Sequence, residues 1–371
     1  MKKILLMAAF CIAAVSCNHN SMIQGVFSDE NVNDTTLIAI ATDRLLDVSD
    51  TCAVVDGKFQ FEYPASDTTT LWLRITSTDS QRARDLRSCR TVVFPSEGTV
   101  SVFISKDSTS VTGGVLNDAY VAYEEERQAL RKESGERRKA ILEQFAEGSE
   151  EFQNALAELR KENDARRFDL SKKTVEANKD NAFGALILNN MLDNHMLTSA
   201  EVDEILADAS EFLKNEKDIT TSYKYLVNTE NTAVGKMFVD FEGKTPAGEP
   251  VKLSDFVGKG NYVLMDFWAS WCGFCIQEFP NIKEVYEKYA GKGLTVVGVC
   301  ISDGDNSASR KVLEKYDAKW NQIFLGDGNE PAVMYGVRGI PHIMIFNPDG
   351  TVMVRDLRGQ KIIDTVAGLY E

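Results

Sequence analysis

The run Tyr262–Phe267 (YVLMDF) is apolar but for Asp266, and a helical pattern opens at Cys272 and continues to Tyr289. A buried strand that turns at once into a helix leaves few folds open. Around it, from about Val234, strand and helix patterns alternate. Leu294–Ile301 reads as another buried strand and Ala308–Tyr316 as a helix. Ile343–Phe346 and Val352–Val354 read as strands joined by the turn Asn347-Pro348-Asp349-Gly350, and Ile362–Leu369 closes as a helix. Such alternation predicts an α/β domain, a mixed sheet covered by helices.

Two cysteines, Cys272 and Cys275, sit at the strand–helix junction in WASWCGFC. That position has a mechanical meaning. Cys272 would meet the unpaired N–H groups and dipole of a helix start, which favour negative charge and lower a thiol pKa. Cys275 follows one turn later on the same side, within disulfide reach. The first sulfur can attack a disulfide, and the second can resolve the mixed disulfide.

The stretch VLMDFWASWCGFC resembles the active-site strand and turn of the thioredoxin superfamily. LSDFVGKGNYVLMDFWASWCGFCIQEFP resembles more closely its membrane-anchored, extracytoplasmic TlpA/ResA type. The resemblance covers roughly residues 239–370. It implies a thioredoxin fold and thiol–disulfide exchange with protein thiols and disulfides, in the reducing direction. It needs no cofactor, and a membrane or periplasmic partner of unknown identity would supply electrons. Asp266, six residues before Cys272, matches a buried carboxylate whose raised pKa lets it take the proton of Cys275; the plainer alternative is an aspartate reaching solvent at a strand end. Pro280 matches a proline that kinks the active-site helix. Gly339-Ile340-Pro341 matches the cis-proline loop, where a cis bond lets Ile340 pair with an extended substrate beside the sulfurs; a trans proline starting a strand is the alternative. Trp271 joins Ile340 and Pro341 as an expected substrate contact.

The chain departs from the family at Gly273-Phe274, where thioredoxin has Gly-Pro and the ResA branch commonly Glu-Pro. It departs again at His342, where threonine is common. These three positions are the expected redox tuners, and a histidine there could titrate near physiological pH. Cys300, in a buried strand, is expected to be an inert thiol.

The chain opens MKKILLMAAFCIAAVSC, two lysines before an apolar run too short to span a bilayer. Its Ala-Val-Ser-Cys ending resembles a bacterial lipobox, with Ala14 where leucine is usual. Residues 1–16 would then be a lipoprotein signal peptide and Cys17 the lipidated first residue. The domain would be held on the periplasmic side of a bacterial membrane, the outer one being expected. Simple signal cleavage near Ser16 or Cys17 is the alternative.

Residues 17–114 read as short strands, among them Phe59–Phe61, Leu71–Ile75, Val92–Phe94 and Val100–Ile104, and predict a small all-β sandwich. Cys52 and Cys89 fall there, either as a bridge or as two separately buried thiols. Residues 115–233 are rich in Glu, Lys, Arg, Ala and Leu and predict two long charged helices broken at Gly148-Ser149, then three shorter ones. The sparse apolar stripe of that helical region is open to a reading as a homodimer surface. The remainder, 234–371, is the thioredoxin-like domain.

A net charge of −15 argues against nucleic acid as a partner. A zinc site would need four convergent ligands, and of the seven cysteines only one close pair exists. Two other functions compete with an exported oxidoreductase. One is a non-enzymatic binding lipoprotein in which the thioredoxin-like part is structural. The other is a peroxiredoxin-like peroxidase, whose P-x-x-x-T-x-x-C pattern is broken here by Met265 and Ala269.

Overall fold

The computed structural model describes residues 20–29, 35–42 and 48–370. The expected signal segment and Cys17 lie outside the described residues. The chain divides into two compact units, one reaching Met191 and including Ile205–Glu216, the other holding Leu192–Glu204 and Lys217–Glu371.

The first unit opens with eight strands and one short helix: β1 (Asn20–Ser28), β2 (Leu37–Thr42), β3 (Val48–Ala53), β4 (Lys58–Pro64), β5 (Leu71–Ser77), α1 (Ser80–Asp85), β6 (Arg90–Val93), β7 (Gly98–Ser105) and β8 (Thr109–Thr112). They form two four-stranded sheets, ordered β4-β1-β7-β8 and β3-β2-β5-β6. Alternation turns one face of each sheet inward, so Ile23, Phe61, Leu73, Ile75, Val102 and Ile104 share one core. Cys52 and Cys89 are free thiols. Register explains why. Cys52 lies opposite Ala39, Ala39 opposite Ile75, and the Ile75 N–H bonds the Cys89 carbonyl. Three strand spacings of roughly 4.8 Å put the cysteines about 14 Å apart, twice the reach of a disulfide.

Two long helices follow, α2 (Val115–Gln144) and α3 (Glu150–Glu176). The expected break is real: Gly148 has φ +85° and Ser149 caps α3, its Oγ accepting the Phe152 N–H at 3.1 Å. Forked ion pairs join the two helices, Arg137 to Glu162 and Arg166 to Glu133. Phe152, Leu156 and Leu159 of α3 are buried, while Leu142 of α2 is 45% exposed. Four shorter helices succeed them, not the expected three: α4 (Ala182–Asp193), α5 (Ser199–Ala207), α6 (Glu211–Asn215) and α7 (Lys217–Asn231). Glu216, between α6 and α7, is extended and separates the two.

The second unit carries the mixed sheet. Its elements are β9 (Glu242–Lys244), β10 (Pro250–Lys252), β11 (Val263–Trp268), α8 (Gly273–Tyr289), β12 (Thr295–Cys300), α9 (Ser307–Lys315), β13 (Asn321–Phe324), α10 (Glu330–Met334), β14 (His342–Phe346), β15 (Val352–Leu357) and α11 (Gln360–Tyr370). The strand order is β10-β9-β13-β12-β11-β14-β15. β11 and β12 run parallel, as do β12 and β13, and β14 returns antiparallel beside β11. Every residue of β11 is buried. Leu264 and Trp268 face a cluster with Phe279, Ile282 and Val285 of α8 and Ile362 and Val366 of α11. Met265 and Phe267 face the opposite cluster with Tyr335 and Phe346. A strand covered on both faces has to be apolar throughout, which is why Asp266 stands out.

Candidate active site

β11 ends at Trp268, and the turn that follows delivers Cys272 as the N-cap of α8. The Cys275 N–H donates to Cys272 Sγ at 3.1 Å. An oxygen usually takes that capping position; here a sulfur receives the N–H and the dipole of the first turn, which favours its anionic form. Cys272 and Cys275 are joined in a disulfide with Cα atoms 5.3 Å apart. Cys275 is fully buried, while Cys272 keeps an opening to solvent. Pro280 lies inside α8, where it withdraws one backbone donor from the helix.

The Ile340–Pro341 bond is cis, and Cys272 Sγ lies 3.6 Å from the Ile340 carbonyl oxygen. The sheet brings these together. β14 starts at His342 opposite Phe267, so the segment entering β14 passes beside the turn leaving β11. Trp271 and Phe274 flank the disulfide and are the most open large apolar side chains of this turn, at 64% and 74% exposed. The Trp271 indole N–H bonds the Ser302 carbonyl at 2.9 Å, so the ring is held although exposed. Gly273 has open space where a Cβ would stand.

Asp266 is 1% exposed and its Oδ1 has no hydrogen-bond partner. Strand alternation puts it on the face of Leu264 and Trp268, the face whose core contains Cys272 and Cys275. Burial holds its carboxyl well above the ordinary carboxylate range; Arg358 pulls it down and Glu278 pushes it further up. The alternative of an aspartate reaching solvent is thereby excluded.

His342 departs from expectation. Burial pushes its imidazole down to about 4, helped by the Arg355 charge, while Asp356 opposes the shift. Its Nε2 is buried without a partner, a place suited to a bare ring nitrogen. The neutral ring is the form these surroundings favour. Cys300 is buried and its thiol is pushed up to about 12, chiefly by burial, which is the condition of an inert thiol.

Sequence reasoning missed Asp303. Its Oδ2 accepts the Ser270 N–H at 2.8 Å and its Oδ1 the Ser270 hydroxyl at 2.7 Å. Ser309 Oγ donates to the same carboxylate. The loop after β12 thus clamps the residue two before Cys272. Glu278 and Arg358 were missed as well. Glu278 accepts the Gly359 N–H at 2.9 Å, and Arg358 donates to the Pro341 carbonyl. For Asp303 the sequence sign was an acidic residue three positions past the end of a buried strand, in Cys300-Ile301-Ser302-Asp303.

A family profile described as the AhpC/TSA family matches residues 234–355. Another, described as a domain of unknown function (DUF4369), matches residues 22–120. The chain is 30% identical over 137 residues to the thiol-disulfide oxidoreductase ResA of Bacillus thuringiensis subsp. konkukian, a match spanning 37% of this chain and 76% of that protein. The chain belongs to the ResA family of thiol-disulfide oxidoreductases. ResA of Bacillus subtilis is 27% identical over 124 residues, 33% of this chain and 67% of its own. Among solved structures, the thioredoxin domain of a thiol-disulfide oxidoreductase from Bacteroides vulgatus is 32% identical, with 38% of this chain and 99% of that one covered and a TM-score of 0.35. A thiol:disulfide interchange protein from Bacteroides sp. is 32% identical, covering 37% and 90%, with a TM-score of 0.34. An oxidoreductase of this family is an enzyme, which answers the reading of a purely structural thioredoxin-like part.

Proposed function

We propose that this oxidoreductase reduces protein disulfides outside the cytoplasm, tethered by lipid on Cys17, through the Cys272–Cys275 pair. The observation that carries the reading is the capped sulfur: Cys272 Sγ accepts an N–H at the head of α8, faces the Ile340 main-chain carbonyl, and already shares a disulfide with Cys275.

In the dithiol form, the Cys272 thiolate attacks one sulfur of a substrate disulfide and expels the other as thiolate. A mixed disulfide results. Cys275 loses its proton to the Asp266 carboxylate and attacks Cys272 Sγ. The second substrate sulfur leaves and is protonated. The substrate has gained two electrons, and the enzyme holds the Cys272–Cys275 disulfide until a dithiol donor reduces it. Main-chain groups of Ile340, with the rings of Trp271 and Phe274, receive an extended stretch of substrate. The location rests on the leader-like start MKKILLMAAFCIAAVSC; no helix among the described residues is long and apolar enough to cross a membrane.

Insulin reduction is the test. Wild type should turn over with an electron supply, and Cys272→Ser should not. A wild type that never reduces insulin sinks the reading. The potential of the pair sets the direction: near the reducing end of the superfamily, roughly −270 mV, it is a reductase, and near −120 mV an oxidant. The AhpC/TSA match favours a peroxidase as a second reading. The two positions that pattern needs are Met265 and Ala269, both fully buried and apolar, so hydrogen peroxide consumption should stay at background.

A further inference from the structure

Helix α7 precedes the residues 234–355 matched by the AhpC/TSA profile. Yet it grips the chain that leads into the cis-proline segment at one residue after another. Asn228 Nδ2 donates to the Val333 carbonyl at 2.7 Å. Thr232 Oγ1 donates to the Tyr335 carbonyl at 3.2 Å. Gly336, at φ +66°, lies so close that a Cβ there would sit 2.0 Å from Thr229 Oγ1 and 2.7 Å from its backbone nitrogen. Arg338 completes the grip. Its guanidinium donates to Asp193 Oδ1 at 2.7 Å and to the Ser222 carbonyl at 3.1 Å, and stands 5.0 Å over the Tyr225 ring. Ser222 Oγ donates to the same Asp193 oxygen at 2.8 Å. From Arg338 only Gly339 intervenes before Ile340, whose carbonyl oxygen faces Cys272 Sγ.

We propose that α7 and the end of α4 form a positioning bracket for the substrate-binding strap, with Arg338, held by Asp193, Ser222 and Tyr225, fixing where Ile340 presents its main chain to a protein substrate. This rests on the reading of Ile340 as the place where an extended substrate pairs. The physical case is register. A peptide that pairs with Ile340 must bring its disulfide to Cys272, and Gly339 on the adjoining side supplies no rigidity of its own. A charged anchor to one carboxylate oxygen and one main-chain carbonyl on one side of that glycine removes the slack. A small disulfide needs only access to Cys272, so it should be indifferent to the bracket.

The test compares full-length wild type, Arg338→Ala, Asp193→Asn and Tyr225→Phe on two substrates, insulin and the small aromatic disulfide dithiobis(2-nitrobenzoate). Loss of one charge-assisted bond should raise KM for insulin about tenfold in Arg338→Ala, with a smaller rise in Asp193→Asn. Turnover of the small disulfide and the potential of the Cys272/Cys275 pair should stay at wild-type values. Tyr225→Phe keeps the ring beneath the guanidinium and should behave as wild type. An unchanged KM in both Arg338→Ala and Asp193→Asn overturns the proposal. So does an equal loss on both substrates, or a shifted potential, since either marks general damage. Wild type that fails on insulin overturns the parent reading, and this proposal with it, in a separate arm.

Discussion

Asp266 and His342 sit on adjacent paired strands, opposite Ile343 and Phe267 respectively, and burial moves their protons in opposite senses. For Asp266 the folded pKa is raised above the ordinary 3.8. Its neutral form is the one the fold favours, so its contribution to stability is complete below 3.8 and is lost as pH climbs toward the folded value. Asp266→Asn should therefore raise the melting temperature at pH 7, and the gain should vanish near pH 4, as followed by calorimetry. The same substitution removes the proton acceptor for Cys275 and should slow resolution of a mixed disulfide about a hundredfold, measured by stopped-flow with a labelled substrate. His342 runs the other way. Its folded value of about 4 lies below the usual 6.5, so its contribution is complete above 6.5 and is lost as pH falls from there to about 4. His342→Thr should abolish that loss. Denaturant titrations of the two proteins should diverge between pH 7 and pH 4 by up to about 3 kcal/mol.

At the scale of elements, the site depends on how closely three strands approach. Asp266, Gly298 and Gln322 are successive partners across β11, β12 and β13. A Cβ on Gly298 would lie 2.3 Å from Gln322 Oε1, the atom that accepts the buried Trp268 indole N–H at 3.0 Å. Gly298→Ala should cost about 1–3 kcal/mol and disturb Trp268 fluorescence in the same titration. Legibility varied by element. The strand–turn–helix of β11 and α8 was plain because its defining partners, Cys272 and Cys275, lie three residues apart. β9 has three residues and β13 only four, with Asn321 and Gln322 at its start. Such short, half-polar strands carry no period, and neighbours define them instead.

On the scale of the whole molecule, cysteine pairing follows from where strands lie. Alkylation of the unreduced, denatured chain should label Cys52, Cys89 and Cys300 and spare Cys272 and Cys275; reduction should then expose two more thiols. A Cys52–Cys89 peptide in the mass spectrum would contradict the sheet register. That question stayed open in the sequence, since spacing along a chain says nothing of an edge-to-edge distance across four strands. What the residue order by itself determined was local: a thiol pair one helical turn apart at a strand end, a proline before a strand, and an acid inside an apolar run. These are matters of neighbours and periodicity. Only the tertiary structure decided that Asp303 clamps Ser270 from 33 residues away and that Arg338 reaches Asp193 from 145 away. It alone made His342 neutral and Asp266 solitary. Desolvation and long-range hydrogen bonds belong to the surroundings of a residue, and those surroundings exist only once the chain is folded.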